Sequence, residues 1–229
     1  MVKWVPDRTR RFPQRPHYEM DEIDRECERV VKAFLRKQRG RPSCPISTEE
    51  LKTLIEQEAG DLDLYAELDE GVEGVTDFYA GRKPEVRISR HLTEDERREN
   101  RLRTTLTHEL WHVMFHNFLY FFEQTPLPAG RADSPLYSPT CTLETMINAN
   151  QSDWLEWQAG YASCAFLMPI TALRRSTEHY LDKHELSGVL TLDTPEGQGL
   201  IRHTAKVFQV SADAARVRLL RREHLIDMS

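Results

Sequence analysis

Within the 229 residues, the run His108-Glu109-Leu110-Trp111-His112 has the residue types and spacing best suited to chemistry. Residues four apart on an α-helix lie one above the other, so both imidazoles can reach a single metal ion while Glu109 stands beside it. Two neutral imidazoles leave a zinc ion its charge, which lowers the pKa of a water to about 7. An adjacent carboxylate can then take the proton as that water attacks a carbonyl. The pattern points to a metal-dependent hydrolase in which His108 and His112 are ligands and Glu109 is the general base. The competing reading is an ordinary helix that happens to carry two histidines. Leu102, Leu106, Leu110 and Val113 make an i, i+4, i+8, i+11 stripe. At about 100° per residue this stripe lies roughly opposite the two histidines, which the sequence therefore places off the main core stripe. Thr93-Glu94-Asp95-Glu96 reads as a capping box and predicts a helix starting near residue 94.

A catalytic zinc site usually takes three protein ligands and keeps a fourth position open. His116 continues the same helical face, but on an unbroken helix its Cα lies about 12 Å from that of His108, too far for one ion. It reads as a second layer around the site. No glycine follows the second histidine at the position that would turn the chain back toward a third one, since Phe115 stands there. Glu156 is the better third ligand. Ala159, Gly160 and Ser163 lie on its helical face and would let two helices approach closely enough for a short carboxylate to reach across. Asp153-x-x-Glu156 also reads as a capping box in which Glu156 only satisfies a backbone N–H, and Asp153, Glu144 and Glu123 remain reserve ligands.

These residues resemble the ImmA/IrrE family of metallo-endopeptidases. That family's zinc helix typically reads H-E-x-G-H-x-x-x-H, matched by His108, Glu109, His112 and His116. Its following helix reads E-x-x-A-N-x-F-A-x-x-L-L-M-P, matched by Glu156, Ala159, Phe166, Leu167, Met168 and Pro169. Similar stretches are Gly74 to Phe78, Leu192 to Gly197, and Thr204 to Ser211 leading to Arg218-Leu219, so the likeness spans roughly residues 46 to 225. Trp111 replaces the usual Gly, Gly160 the usual Asn or Asp, and Ala162 the usual Phe. The stretch from Asn117 to Ser152 is longer than is usual for the family. The resemblance implies a zinc endopeptidase, with manganese as the alternative ion, in which His108, His112 and Glu156 hold the metal. It implies a cytoplasmic enzyme whose substrate is a helix-turn-helix repressor, often beside a mobile-element or stress regulon.

The elements that must position these residues read as an α+β fold, mostly helical, with a small, largely antiparallel sheet beside the HExxH helix. The expected organisation is a metallopeptidase domain over residues 1–190 and a helical segment over 191–229. Ile23, Cys27, Val30, Val31 and Phe34 give one amphipathic helix ended near Gly40, and the arginine-rich segment before it reads as mobile. Ser47-Thr48-Glu49-Glu50 caps a second helix. Leu62 to Tyr65, Val75 to Tyr79 and Val86 to Ile88 read as strands, and the edge near Val75 to Tyr79 is expected to receive an extended peptide. Four prolines between Thr125 and Pro139 mark a loop.

A net charge of −6 argues against unspecific adhesion to nucleic acid or anionic membrane. The four cysteines lack C-x-x-C spacing and read as reduced cytosolic thiols, and no apolar run is long enough to span a bilayer. Leu200 to Phe208 and Ala212 to Leu220 have helix-turn-helix grammar, with Arg216, Arg218, Arg221 and Arg222 able to contact phosphates. The alternative function is therefore a non-proteolytic regulator that binds DNA or a repressor partner through these helices, with direct DNA contact the less favoured reading.

Overall fold

One carboxylate organises the N-terminal segment. Asp7 accepts hydrogen bonds from the backbone N–H of Thr9 at 3.0 Å and of Phe12 at 3.1 Å, and from Trp154 Nε1 at 3.1 Å. Held this way, the chain turns back on itself, and β1 (Lys3–Pro6) pairs antiparallel with β2 (Gln14–His17). The segment expected to be mobile is thus a hairpin. Phe12 adds edge-on ring contacts to Tyr120 and Trp154, a long-range anchoring that its arginine-rich composition conceals. The computed structural model describes residues 2–121, 134–142 and 153–227.

Helix α1 (Met20–Arg39) buries Ile23, Cys27, Val30, Val31 and Phe34, and Gly40 at φ +72° follows its end. Helix α2 (Thr48–Glu58) starts at the expected capping box. The Ser47 side chain accepts from Glu50 N, and the Glu50 carboxylate accepts from Ser47 N. Leu51, Leu54 and Ile55 form its buried face.

The sheet follows as β3 (Asp61–Ala66), β4 (Val72–Asp77), β5 (Glu85–Ser89) and, further along the chain, β6 (Thr140–Thr142), in the spatial order β3-β5-β4-β6. Strand β4 is antiparallel to both neighbours, whereas β3 runs parallel to β5. The expected peptide-binding edge is therefore taken. Val72, Gly74 and Val75 pair with Thr142, Cys141 and Thr140, and Phe78 bridges to Tyr137. The end of the proline-marked segment and the strand that follows it thus return to β4, a long-range pairing that local signals do not carry.

Between sheet and motif lie α3 (Arg90–Thr93), a 3-10 turn over Glu96–Arg98, and α4 (Glu99–Trp111). Asp95, not Thr93, caps this helical run, accepting from Arg97 N at 3.1 Å. Thr93 Oγ1 instead donates to Leu64 O at 2.7 Å. Past Trp111 the helix widens into a π turn over His112–His116 and resumes as α5 (Asn117–Phe121).

After α6 (Trp154–Leu167) come α7 (Ile170–Lys183), β7 (Leu190–Thr191), α8 (Pro195–Phe208), α9 (Ala212–Arg221) and β8 (Leu225–Ile226), with β7 and β8 parallel. Two compact units result: Met1–Ile23 with Ser47–Ser163, and Asp24–Ile46 with Cys164–Ser229. In the second unit Ser211 caps α9 by accepting from Ala214 N. Arg218 is buried, pairs with Asp24 at 2.7 Å and donates to Met168 O at 3.1 Å. It is a core ion pair and not a phosphate contact. Among the described residues no helix is long and apolar enough to cross a membrane.

Candidate metal centre

The first unit carries the site. The second half of α4 is buried on all sides, with Leu106, Leu110 and Trp111 beside Thr105, Thr107, His108 and Glu109. The histidines thus lie in the interior, off the leucine stripe but not on an exposed face. Glu156 enters from the first turn of α6, whose Ala159, Gly160 and Ser163 are buried.

Three donor groups converge there. His108 Nε2 is 3.1 Å from Glu156 Oε2 and 3.2 Å from His112 Nε2, and His112 Nε2 is 3.4 Å from Glu156 Oε1. Bonds of about 2.0–2.1 Å at tetrahedral angles would set zinc ligands roughly 3.3–3.4 Å apart, so the observed spacing suits one small ion. Glu156 Oε1 also lacks a hydrogen-bond partner among the described residues. The buried donors thus fit a metal. Of the reserve ligands, Asp153 is engaged by both Arg11 Nη atoms at 3.1 and 3.2 Å, and Glu123 and Glu144 lie outside the described residues.

Electrostatics ties the cluster together. Burial disfavours charge on Glu156, but the two imidazoles that face it, His112 and His108, outweigh this and hold its pKa well below the carboxylate range. Burial likewise opposes a charged His108, yet Glu156 lifts its pKa above the ordinary value. His116 goes the other way, pushed well down by burial and by its neighbour His112.

The π turn explains where His116 goes. His116 Nδ1 lies 2.9 Å from His112 Nδ1, its Nε2 lies 3.0 Å from Gln158 Oε1, and Gln158 Nε2 donates to Pro16 O at 3.1 Å. A carbonyl can only accept, so Pro16 orients the Gln158 amide. Its Oε1 then takes the proton of His116 Nε2, which leaves His116 Nδ1 to accept from His112 Nδ1–H. This order frees His112 Nε2, the nitrogen that faces Glu156, as a ligand. Trp111 Nε1, 3.2 Å from His116 Nε2, would bond it only in the opposite tautomer.

Glu109 is fully buried beside this group. Burial raises its pKa, moderated by His108, His112 and Thr76. Thr76 Oγ1 donates to its Oε2 at 2.5 Å, while Oε1 lacks a partner among the described residues. Gly74 permits this approach, since a Cβ there would stand 2.6 Å from Oε1 and 2.8 Å from Thr105 Cγ2. Sequence reasoning did not single out Thr76, Gln158 or the role of Gly74. A glycine inside a β-rich run was the one available signal, because it often marks close backbone approach.

A family model described as IrrE N-terminal-like domain, peptidase family M78, matches residues 55–220. No curated protein matches the chain. The match covers more than half of the chain and both segments that build the centre, and a metallopeptidase family implies a metal ion and a protein substrate: the chain belongs to the IrrE N-terminal-like metallopeptidase family.

Proposed function

We propose that the chain is a zinc-dependent endopeptidase, with manganese as the alternative ion, that cuts a helix-turn-helix repressor at one or a few bonds in the cytoplasm. The observation that carries this reading is the convergence of His108, His112 and Glu156 within 3.1–3.4 Å beside a buried carboxylate with one oxygen lacking a hydrogen-bond partner among the described residues. When bound, the metal supplies a Lewis acid that activates a water and polarises the scissile carbonyl.

The protein's own groups do the rest. Thr76 fixes Glu109 Oε2, so Oε1 is the atom that takes the water's proton. The raised pKa of Glu109 makes it a stronger base than an exposed carboxylate, and the same proton passes to the leaving amine nitrogen. The tautomer chain from Pro16 through Gln158 and His116 keeps His112 Nε2 deprotonated. That none of the four cysteines is in a disulfide supports a reducing compartment. The repressor substrate rests on family resemblance. The DNA-binding alternative loses ground because Arg218 is committed to Asp24 and Arg222 Nε lies 3.3 Å from the same carboxylate.

The test is to incubate the metal-loaded protein with candidate repressors and with an unrelated unfolded protein, and to map products by mass spectrometry. Cleavage confined to one repressor, abolished in Glu109→Gln, is expected. Indiscriminate cleavage would replace the repressor with a general peptide substrate, and no cleavage by a metal-loaded enzyme would refute the endopeptidase.

A further inference from the structure

Among the described residues, the only hydrogen-bond and ion-pair partners of the Glu156 carboxylate are the imidazoles of His108 and His112. With no other side chain to aim it, its placement depends on how α6 is turned about its own axis. The N-terminal hairpin fixes that angle. Asp7 accepts from Trp154 Nε1 at 3.1 Å, Pro16 O accepts from Gln158 Nε2 at 3.1 Å, and both Arg11 Nη atoms donate to the Asp153 carboxylate at 3.1 and 3.2 Å. The Arg15 guanidinium lies 5.4 Å over the Trp154 ring, and Phe12 meets the same ring edge-on. Trp154 and Gln158 are four apart and share one face of the helix, whereas Glu156, two residues after Trp154, stands about 200° round from it. The hairpin thus grips the face behind the ligand. A carboxylate about 6 Å from the helix axis moves by about 1 Å when the helix rolls through about 10°. Metal–ligand distances hold to about 0.2 Å, so even a small roll would take Glu156 out of reach. The hairpin, Lys3 to His17, lies outside the 55–220 stretch shared with the family.

We propose that the N-terminal hairpin is a positioning element of the metal centre: through Asp7, Arg11 and Pro16 it sets the roll of α6 and so aims Glu156 toward His108 and His112. The residues that position the third ligand are thus supplied from the far end of the chain, ahead of the shared domain. The inference rests on the metallopeptidase reading above.

Its test is a double-variant cycle on the cobalt(II) affinity of the full chain, read by competition titration. Asp7→Ala removes the acceptor of Trp154 and the centre of the hairpin turn, and it touches none of the three ligands. It should weaken cobalt binding about tenfold, as loss of an outer support does. In the Glu156→Ala chain the same substitution should change affinity less than about twofold, because no carboxylate is left to aim. Arg11→Ala alters an exposed pair, leaves the fold intact and serves as the second probe. It should weaken binding about threefold, a loss that also vanishes in Glu156→Ala. Urea unfolding of the metal-free chains identifies the variants that are folded under the titration conditions, and if Asp7→Ala is not among them the Arg11→Ala cycle decides. A merely structural role would lower stability in both backgrounds without this dependence on Glu156. Unchanged affinity in the folded variants would overturn the proposal and leave the metal assignment standing. Equal losses with and without Glu156 would also overturn it, and a wild-type chain that binds no cobalt would bring down the metallopeptidase reading as well.

Discussion

Replacing Gly74 with alanine separates catalysis from metal holding. The new Cβ would lie 2.6 Å from Glu109 Oε1, 3.1 Å from Glu109 Cδ and 2.8 Å from Thr105 Cγ2. Carbon atoms pack at about 3.5–4.0 Å, so the threonine methyl is short by roughly 0.7 Å, and the carboxylate must also give way. Glu109 cannot swing freely, since Thr76 holds its other oxygen at 2.5 Å. The strain therefore divides between a shifted carboxylate and a parted sheet. Overpacking of this kind costs about 1–3 kcal/mol of stability. A displacement approaching 1 Å at the general base costs about a hundredfold in turnover. None of the three atoms nearest that Cβ belongs to His108, His112 or Glu156, so metal content should stay at the wild-type level. The assays are turnover on an unfolded protein, metal analysis by mass spectrometry and urea unfolding. A folded Gly74→Ala protein with wild-type kcat would refute the reasoning, because Glu109 would then not need its observed position.

Three further outcomes are expected. Gln158→Leu leaves the His116 Nε2 proton without its acceptor and should weaken metal affinity about 10–100-fold in a competition titration, as loss of an outer partner does; unchanged affinity would remove the tautomer chain from the account. Burial lowers the pKa of His108, but Glu156 overcomes this and raises it, so protons should compete with the metal from above the ordinary value of about 6.5. Affinity should then fall about tenfold per pH unit as pH drops through the raised value, and constant affinity to pH 5 would contradict histidine ligation. Arg218→Met removes the closer guanidinium from the buried Asp24 carboxylate, with Arg222 still 3.3 Å away, and should destabilise the protein by about 3 kcal/mol in urea unfolding, with recovery in the Asp24→Asn double variant; a neutral single variant would show that the pair is dispensable.

The candidate metal cluster was legible in the sequence because its parts are local. His108, Glu109 and His112 occupy one helix, and the small residues after Glu156 signalled close packing. The contact of His116 with His112 was harder to see, since an estimate from an unbroken α-helix misses the π turn that sets them together. The support for Glu109 was not legible. Thr76 and Cys141 stand far from Glu109 in the chain and are set beside it by the register of β4 and β6, which is fixed by the whole sheet. The same limit hid the occupied edge of β4. At the N-terminus composition misled, because four arginines outweighed the single Asp7 that gathers the turn and binds Trp154.

The central claim, that His108, His112 and Glu156 together hold one metal ion while Glu109 does not, is tested most directly by metal content after dialysis. The wild-type chain and Glu109→Gln should each retain about one zinc ion per folded chain, and His108→Ala, His112→Ala and Glu156→Ala should each retain far less. Full zinc in a folded Glu156→Ala protein, or loss of zinc in a folded Glu109→Gln protein, would contradict the assignment.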